Sequence, residues 1–99
     1  MSDERPTDPE AALARLLDIM ARLRDPQSGC PWDVKQTMQS LTRYTIEEAY
    51  EAVDAIERGA PDEIKDELGD LLFQIVFYAQ IGNESQQFHF TDIANAISD

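Results

Sequence analysis

The sequence is poor in the residues that staple, ligate with nitrogen or neutralise acid. It has one cysteine, Cys30, so no intrachain disulfide is possible. It has one histidine, His89, which rules out a site built on several imidazoles. Only 8 lysines and arginines stand against 20 aspartates and glutamates, a net charge of -12. A field of that sign repels nucleic acid and anionic membranes, so neither is expected as a partner. A small phosphorylated ligand stays possible if a divalent cation bridges the two sets of negative charge. No apolar run approaches the roughly 20 residues of a membrane span. The acidic start, "MSDERPTDPE", has no apolar stretch of the signal-peptide kind, so the expected compartment is the cytoplasm.

What remains is 99 residues, 42% hydrophobic, enough for one small globular domain. Residues 1–8 carry no periodicity and are expected to form a flexible tail, with a single domain over 9–99. Asp8 followed by Pro9 reads as an N-cap and first helical position, and Leu13, Leu16, Leu17, Met20 and Leu23 recur at helical spacing. "RDPQSGCPWD" reads as a loop, followed by a short helix near Gln36 to Leu41. Thr45 with Glu48 suggests a capping box opening a helix that stops at Arg58–Gly59. Pro61 opens another, expected to run to Ile81 and close at Gly82, and Thr91 is the expected cap of a last helix. No strand pattern competes. The expected fold is all-α, a four-helix-type bundle, with the chain ending in or just after its last helix.

Acid is concentrated in one place. Thr45 to Asp70 holds ten carboxylates and two basic side chains. In the first of its two helices Ile46, Ala49, Tyr50, Val53 and Ile56 fall on one side, with Glu47, Glu48, Glu51 and Asp54 away from it. Taken alone, that is an amphipathic helix with a solvated acidic face. The second, "LGDLLFQIVFYAQI", is apolar nearly all round, as a buried bundle helix is, and its polar wedge is Glu67, Asp70 and Gln74. Carboxylates walled in by Phe73, Phe77, Leu71 and Tyr78 must protonate, pair with a base or hold a cation. Lys65 points to another side of the helix, which favours a cation. Helices joined by "GAP" pack antiparallel, which sets Glu48 and Glu51 opposite Glu67 and Asp70. Four carboxylates without nitrogen or sulfur suit Mg²⁺, with Mn²⁺ as a substitute. A di-iron bundle would need Glu-x-x-His pairs, and His89 lies in the "NESQQFHF" loop.

The order Glu47-Glu48-x-x-Glu51, fifteen residues, then Glu67-x-x-Asp70, resembles the EExxE…ExxD signature of the all-α nucleoside triphosphate pyrophosphohydrolases. "LLDIMARLRDPQSGCPWDVKQT", "YTIEEAYEAVDAI", "DELGDLLFQIVFYAQI" and "FHFTDIANAISD" are similar to the MazG family within that superfamily. "CPWD" favours this family over a narrower dUTP, dCTP or phosphoribosyl-ATP pyrophosphohydrolase of the same superfamily. The resemblance implies hydrolysis of a nucleoside triphosphate to the monophosphate and pyrophosphate, in cleaning of the nucleotide pool. It implies Glu48, Glu51, Glu67 and Asp70 as magnesium ligands, and Glu47 as the group that orients or deprotonates the attacking water beside Glu48. It also implies a homodimer whose paired helices complete the bundle. Trp32 as a base platform and Lys35, Lys65 and Arg43 as phosphate contacts are candidates for binding substrate. Cys30 reads as a structural loop residue. Family members often carry a second copy of the domain, and a basic, histidine-containing segment follows the equivalent of Asp99. The chain is therefore expected to be a piece of a longer protein, and the alternative to an enzyme is a non-catalytic helical module with a vestigial metal site.

Overall fold

The computed structural model describes residues 5–99, so the expected tail lies partly outside the described residues. They form five α-helices and no strand: α1 (Pro9–Leu23), α2 (Pro31–Lys35), α3 (Met38–Arg58), α4 (Pro61–Glu84) and α5 (Phe90–Ser98). The chain divides into two compact units, one up to Lys35 and one from Gln36 to Asp99.

In the first unit the Asp8 carboxylate accepts from the Ala11 N–H at 2.8 Å, and Pro9 occupies the first turn, where its missing N–H costs nothing. Met20 is fully buried, and Leu13, Leu16, Leu17 and Leu23 are half-buried along the same stripe. The turn after α1 is tightly tied. The Asp25 carboxylate accepts from the N–H groups of Gln27 and Ser28 at 2.8 and 3.0 Å, and the Cys30 N–H donates to the Leu23 carbonyl at 2.9 Å. A Cβ on Gly29 would stand 2.3 Å from that carbonyl oxygen, so only glycine lets the backbone close this way. Part of the expected loop is helical: Pro31 starts the single turn of α2. Arg24 Nη1 donates to the carbonyls of Asp33 and Val34 at 2.8 and 3.2 Å, groups that a helix end leaves without partners.

In the second unit α3 and α4 form a hairpin, and α5 packs on α4. The expected start of α3 at Thr45 is too late. Thr37 caps it, accepting from the Ser40 N–H at 3.1 Å while Ser40 Oγ accepts from the Thr37 N–H at 2.8 Å. No breaker separates Thr37 from Arg58, so a helix nucleated there propagates through Thr45. Gly59 ends it at φ 76°, a left-handed conformation that glycine adopts without Cβ strain. At the hairpin end Arg58 is paired with Asp54 and Glu63.

α4 outruns its expected stop. Gly82 is buried inside the helix, and Ser85 is the cap residue. The missing side chain at Gly82 seats the ring of Phe88, which a Cβ would approach to 2.6 Å. α5 likewise starts before Thr91. His89 is its cap residue, and the Asp92 carboxylate accepts from the His89 N–H at 3.0 Å.

The core is small: Leu41, Ala52 and Ala55 of α3, with Val76, Phe77 and Ala79 of α4. Phe73 meets Phe77 edge-on, with ring centroids 6.0 Å apart. The side of α3 packed on α4 is the Glu48 side and not the apolar Ile46–Ile56 side. Its packed stripe is Leu41, Thr45, Glu48, Ala52 and Ala55, at steps of four, three, four and three. Alanines let the α4 backbone approach closely, and that decides the facing. Ile46, Tyr50, Val53 and Ile56 are left 62, 74, 52 and 52% exposed on the other side. α4 is also covered less than expected, with Leu68, Leu72 and Ile75 all more than a third exposed.

Candidate metal centre

The antiparallel pairing fixes which acids meet. Arg58 pairs with Glu63 near the turn, and Thr45 pairs with Gln74 and Tyr78 further away. Glu48 therefore falls opposite the Glu67–Asp70 turn. One carboxylate oxygen from each of Glu48, Glu67 and Asp70 lies within 4.8 Å of the other two.

Burial within the triad differs from the expectation. Asp70 is exposed, and Glu48 and Glu67 are half-buried. The enclosed atom belongs to α3: Glu48 Oε2 is shut off from solvent and has no hydrogen-bond partner. Glu48 lies in the packed stripe of α3, whereas Asp70 stands at the rim of the hairpin. Burial raises the Glu48 carboxyl above its ordinary pKa, and the charges of Asp70, Glu67, Glu51 and Glu47 add to the rise. Glu67 is raised in the same way, first by burial and then by Asp70, Glu51, Asp66 and Glu63. Among the described residues no ion pair reaches any member of the triad.

This arrangement lacks its counter-charge. An enclosed acceptor without a donor costs free energy, and three converging carboxylates repel one another. A divalent cation held by the three carboxylates relieves that repulsion. The donors are all carboxylate oxygens, the set preferred by hard cations such as Mg²⁺, Mn²⁺ and Ca²⁺. Mg²⁺ keeps several waters when bound through a few carboxylates, so three protein oxygens are enough.

The other candidates fall in different places. Glu51 is exposed and stands outside the close triad, near enough for its charge to act on both Glu48 and Glu67. Glu47 is exposed beside Glu48. Lys65 is exposed on α4, about 200° around the helix from Glu67. Trp32, 50% exposed, and Lys35 belong to α2 of the first unit. Arg43 lies over the Tyr44 ring, 5.0 Å from its centroid. Cys30 is a half-buried free thiol. Sequence reasoning missed the link from Thr45 to Gln74 and Tyr78, having taken Thr45 for a cap. The available signal was that Gln74 and Tyr78 lie four and eight residues after Asp70, on one face of a largely apolar helix.

Residues 36–99 match the model of the MazG nucleotide pyrophosphohydrolase domain. The chain is 59% identical over 85 residues to a protein of Escherichia coli (strain K12) named nucleoside triphosphate pyrophosphohydrolase, covering 86% of this chain and 32% of that protein. It is 46% identical over 84 residues to the nucleoside triphosphate pyrophosphohydrolase/pyrophosphatase MazG of Thermotoga maritima, covering 85% of this chain and 32% of the relative. A nucleoside triphosphate pyrophosphohydrolase of Mycobacterium tuberculosis is 41% identical over 85 residues, which is 84% of this chain and 26% of that protein. The chain thus spans about a third or less of the length of these relatives. The matched region contains the whole α3–α4 hairpin and its three converging carboxylates, and the chain belongs to the MazG nucleotide pyrophosphohydrolase domain family.

Proposed function

We propose that this chain carries the metal-binding and hydrolytic part of a Mg²⁺-dependent nucleoside triphosphate pyrophosphohydrolase. The observation that carries the reading is the convergence of the Glu48, Glu67 and Asp70 carboxylates within 4.8 Å, with Glu48 Oε2 enclosed and without a hydrogen-bond partner. Glu48, Glu67 and Asp70 would hold the cation, with Glu51 next to them as a fourth anionic ligand. When bound, such a cation neutralises phosphate oxygens and lowers the pKa of a bound water. Glu47 sits beside the cluster as the carboxylate that orients the water and takes its proton. A P–O bond forms from that water to the α-phosphorus, the bond from the α-phosphorus to the bridging oxygen breaks, and pyrophosphate leaves. No protein nucleophile is required, in keeping with Cys30 as a loop residue.

A second copy of the chain fits the exposed stripe of Ile46, Tyr50, Val53 and Ile56, together with Leu68, Leu72 and Ile75. Pairing of two hairpins would give the four-helix core. No described helix is long and apolar enough to cross a membrane. A free nucleotide substrate places the work in the cytoplasm.

The direct test incubates metal-stripped protein with a panel of ordinary and modified triphosphates, with and without Mg²⁺, and identifies both products. Monophosphate and pyrophosphate in equal amounts, only with the cation, support the reading. Release of orthophosphate, or turnover equally fast in EDTA, overturns it. Failure of the protein extended to its relatives' length to turn over any triphosphate would favour the non-catalytic module.

A further inference from the structure

Thr45 stands one turn before Glu48 on the packed stripe of α3. Its hydroxyl lies 2.6 Å from the Tyr78 hydroxyl, 3.0 Å from Gln74 Oε1 and 3.2 Å from the Leu41 carbonyl. A threonine hydroxyl has one proton to give. Gln74 Oε1 and the Leu41 carbonyl can only accept, so the Thr45 proton goes to one of them. The Tyr78 hydroxyl then donates to Thr45 Oγ1. The result is a chain from Tyr78 through Thr45, half-buried between α3 and α4, with Gln74 Oε1 and the Leu41 carbonyl as the two acceptors open to the Thr45 proton.

Its placement is informative. Gln74 follows Asp70 by four residues and Glu67 by seven, so all three share one face of α4. The carboxylate triad thus lies between two polar crossings of the hairpin, the Arg58–Glu63 pair at the turn and the Thr45 knot at the far side. Between them the like charge of the facing carboxylates opposes the packing, and small alanines offer little side-chain interlock. A slip of one residue along a helix moves a side chain about 1.5 Å and turns it about 100°. That is enough to take Glu48 away from Glu67 and Asp70.

We propose that Thr45, acting through Tyr78 and Gln74, is a positioning residue that holds the α3–α4 register and so keeps the three carboxylates convergent before a cation arrives. The inference rests on the metal reading given above. It assigns Thr45 no contact with metal or substrate. Its role is preorganisation, and its loss weakens cation binding even when the fold survives.

The experiment is a calorimetric titration of the metal-stripped chain with MgCl2 and with MnCl2, at a temperature where each variant is folded by circular dichroism. Thr45→Val keeps the shape and removes the hydroxyl, and Thr45→Ser keeps the hydroxyl. Ile93→Ala in α5 serves as a control for general loss of stability. Thr45→Val is expected to weaken cation affinity about tenfold, the lower end of what supporting residues around a metal contribute. Thr45→Ser and Ile93→Ala are expected to stay within about twofold of the parent, well below that tenfold effect. Tyr78→Phe, which removes one link and leaves the Thr45–Gln74 bond, carries the same expectation at about threefold and decides the matter if Thr45→Val does not fold. Affinity unchanged in Thr45→Val, or lowered as much in Ile93→Ala, overturns the positioning role and leaves the metal site standing. If the parent chain binds neither ion, the metal reading itself fails.

Discussion

Replacing Glu48 by glutamine tests the centre of the reading, because the size of the side chain is kept and one charge is removed. The triad goes from three negative charges to two, and the enclosed Oε2 is replaced by a group that includes a donor. In the metal-free chain the neutral amide removes the repulsion between this position and the Glu67 and Asp70 carboxylates, whose oxygens lie within 4.8 Å. The variant should therefore melt above the parent when no cation is present. With cation the order reverses. At a Mg²⁺ concentration one hundred times the parent dissociation constant, binding stabilises the fold by about 2.7 kcal/mol. For a domain of this size that is about 10–20 °C in melting temperature. If loss of a charged ligand weakens affinity about a hundredfold, the same Mg²⁺ concentration gives the variant only about 0.4 kcal/mol, or about 2–3 °C. Differential scanning fluorimetry of the parent and Glu48→Gln across a Mg²⁺ titration reads both effects. Equal Mg²⁺ responses, or a metal-free variant that melts below the parent, would refute the claim that Glu48 is an unpaired ligand in a repelling cluster.

The raised carboxyls of Glu48 and Glu67 give the pH dependence a definite sign. In the metal-free chain their contribution to stability is full below the unfolded value of about 4.5 and is lost as pH rises through the folded one, so the advantage of Glu48→Gln should grow towards neutrality. Protons compete with the cation, so the Mg²⁺-induced rise in melting temperature should be smaller at pH 5 than at pH 7.5, and an increase on acidification would contradict the assignment. Tyr50→Glu places a charge in the exposed stripe of α3, and light scattering should then find half the parent's mass; a parent that is already monomeric argues against pairing through this face. Phe77→Ala empties the largest fully buried position and should cost about 3–5 kcal/mol in urea unfolding, with an effect below about 1 kcal/mol contradicting the packing described.

Local rules were legible wherever one residue type dominates a backbone choice. Asp8–Pro9 at the start of α1, Arg58–Gly59 at the end of α3 and Pro61 at the start of α4 all act where they stand. Thr45 and Gly82 misled because each matches a terminus pattern while its tertiary use is different. Thr45 crosses to α4, and Gly82 admits a ring. The helical period placed Glu67 with Asp70, and the hairpin brings Glu48 to them. Which acid of α3 would turn inward was not legible from amphipathicity. The large apolar residues pull the eye to one face, whereas Ala52 and Ala55 allow the closest helix approach on another. The expected burial of α4 fell short at Leu68, Leu72 and Ile75, all more than a third exposed.

The seat that Gly82 offers to Phe88 has a bearing on how this domain can be re-engineered. Five residues separate the notch from the ring, and the Gln87 N–H returns to the Gly82 carbonyl at 2.9 Å. The turn is thus measured to length like a clasp. Peptide tags, reporter insertions or circular permutation points placed between Ser85 and Gln87 should unlatch α5.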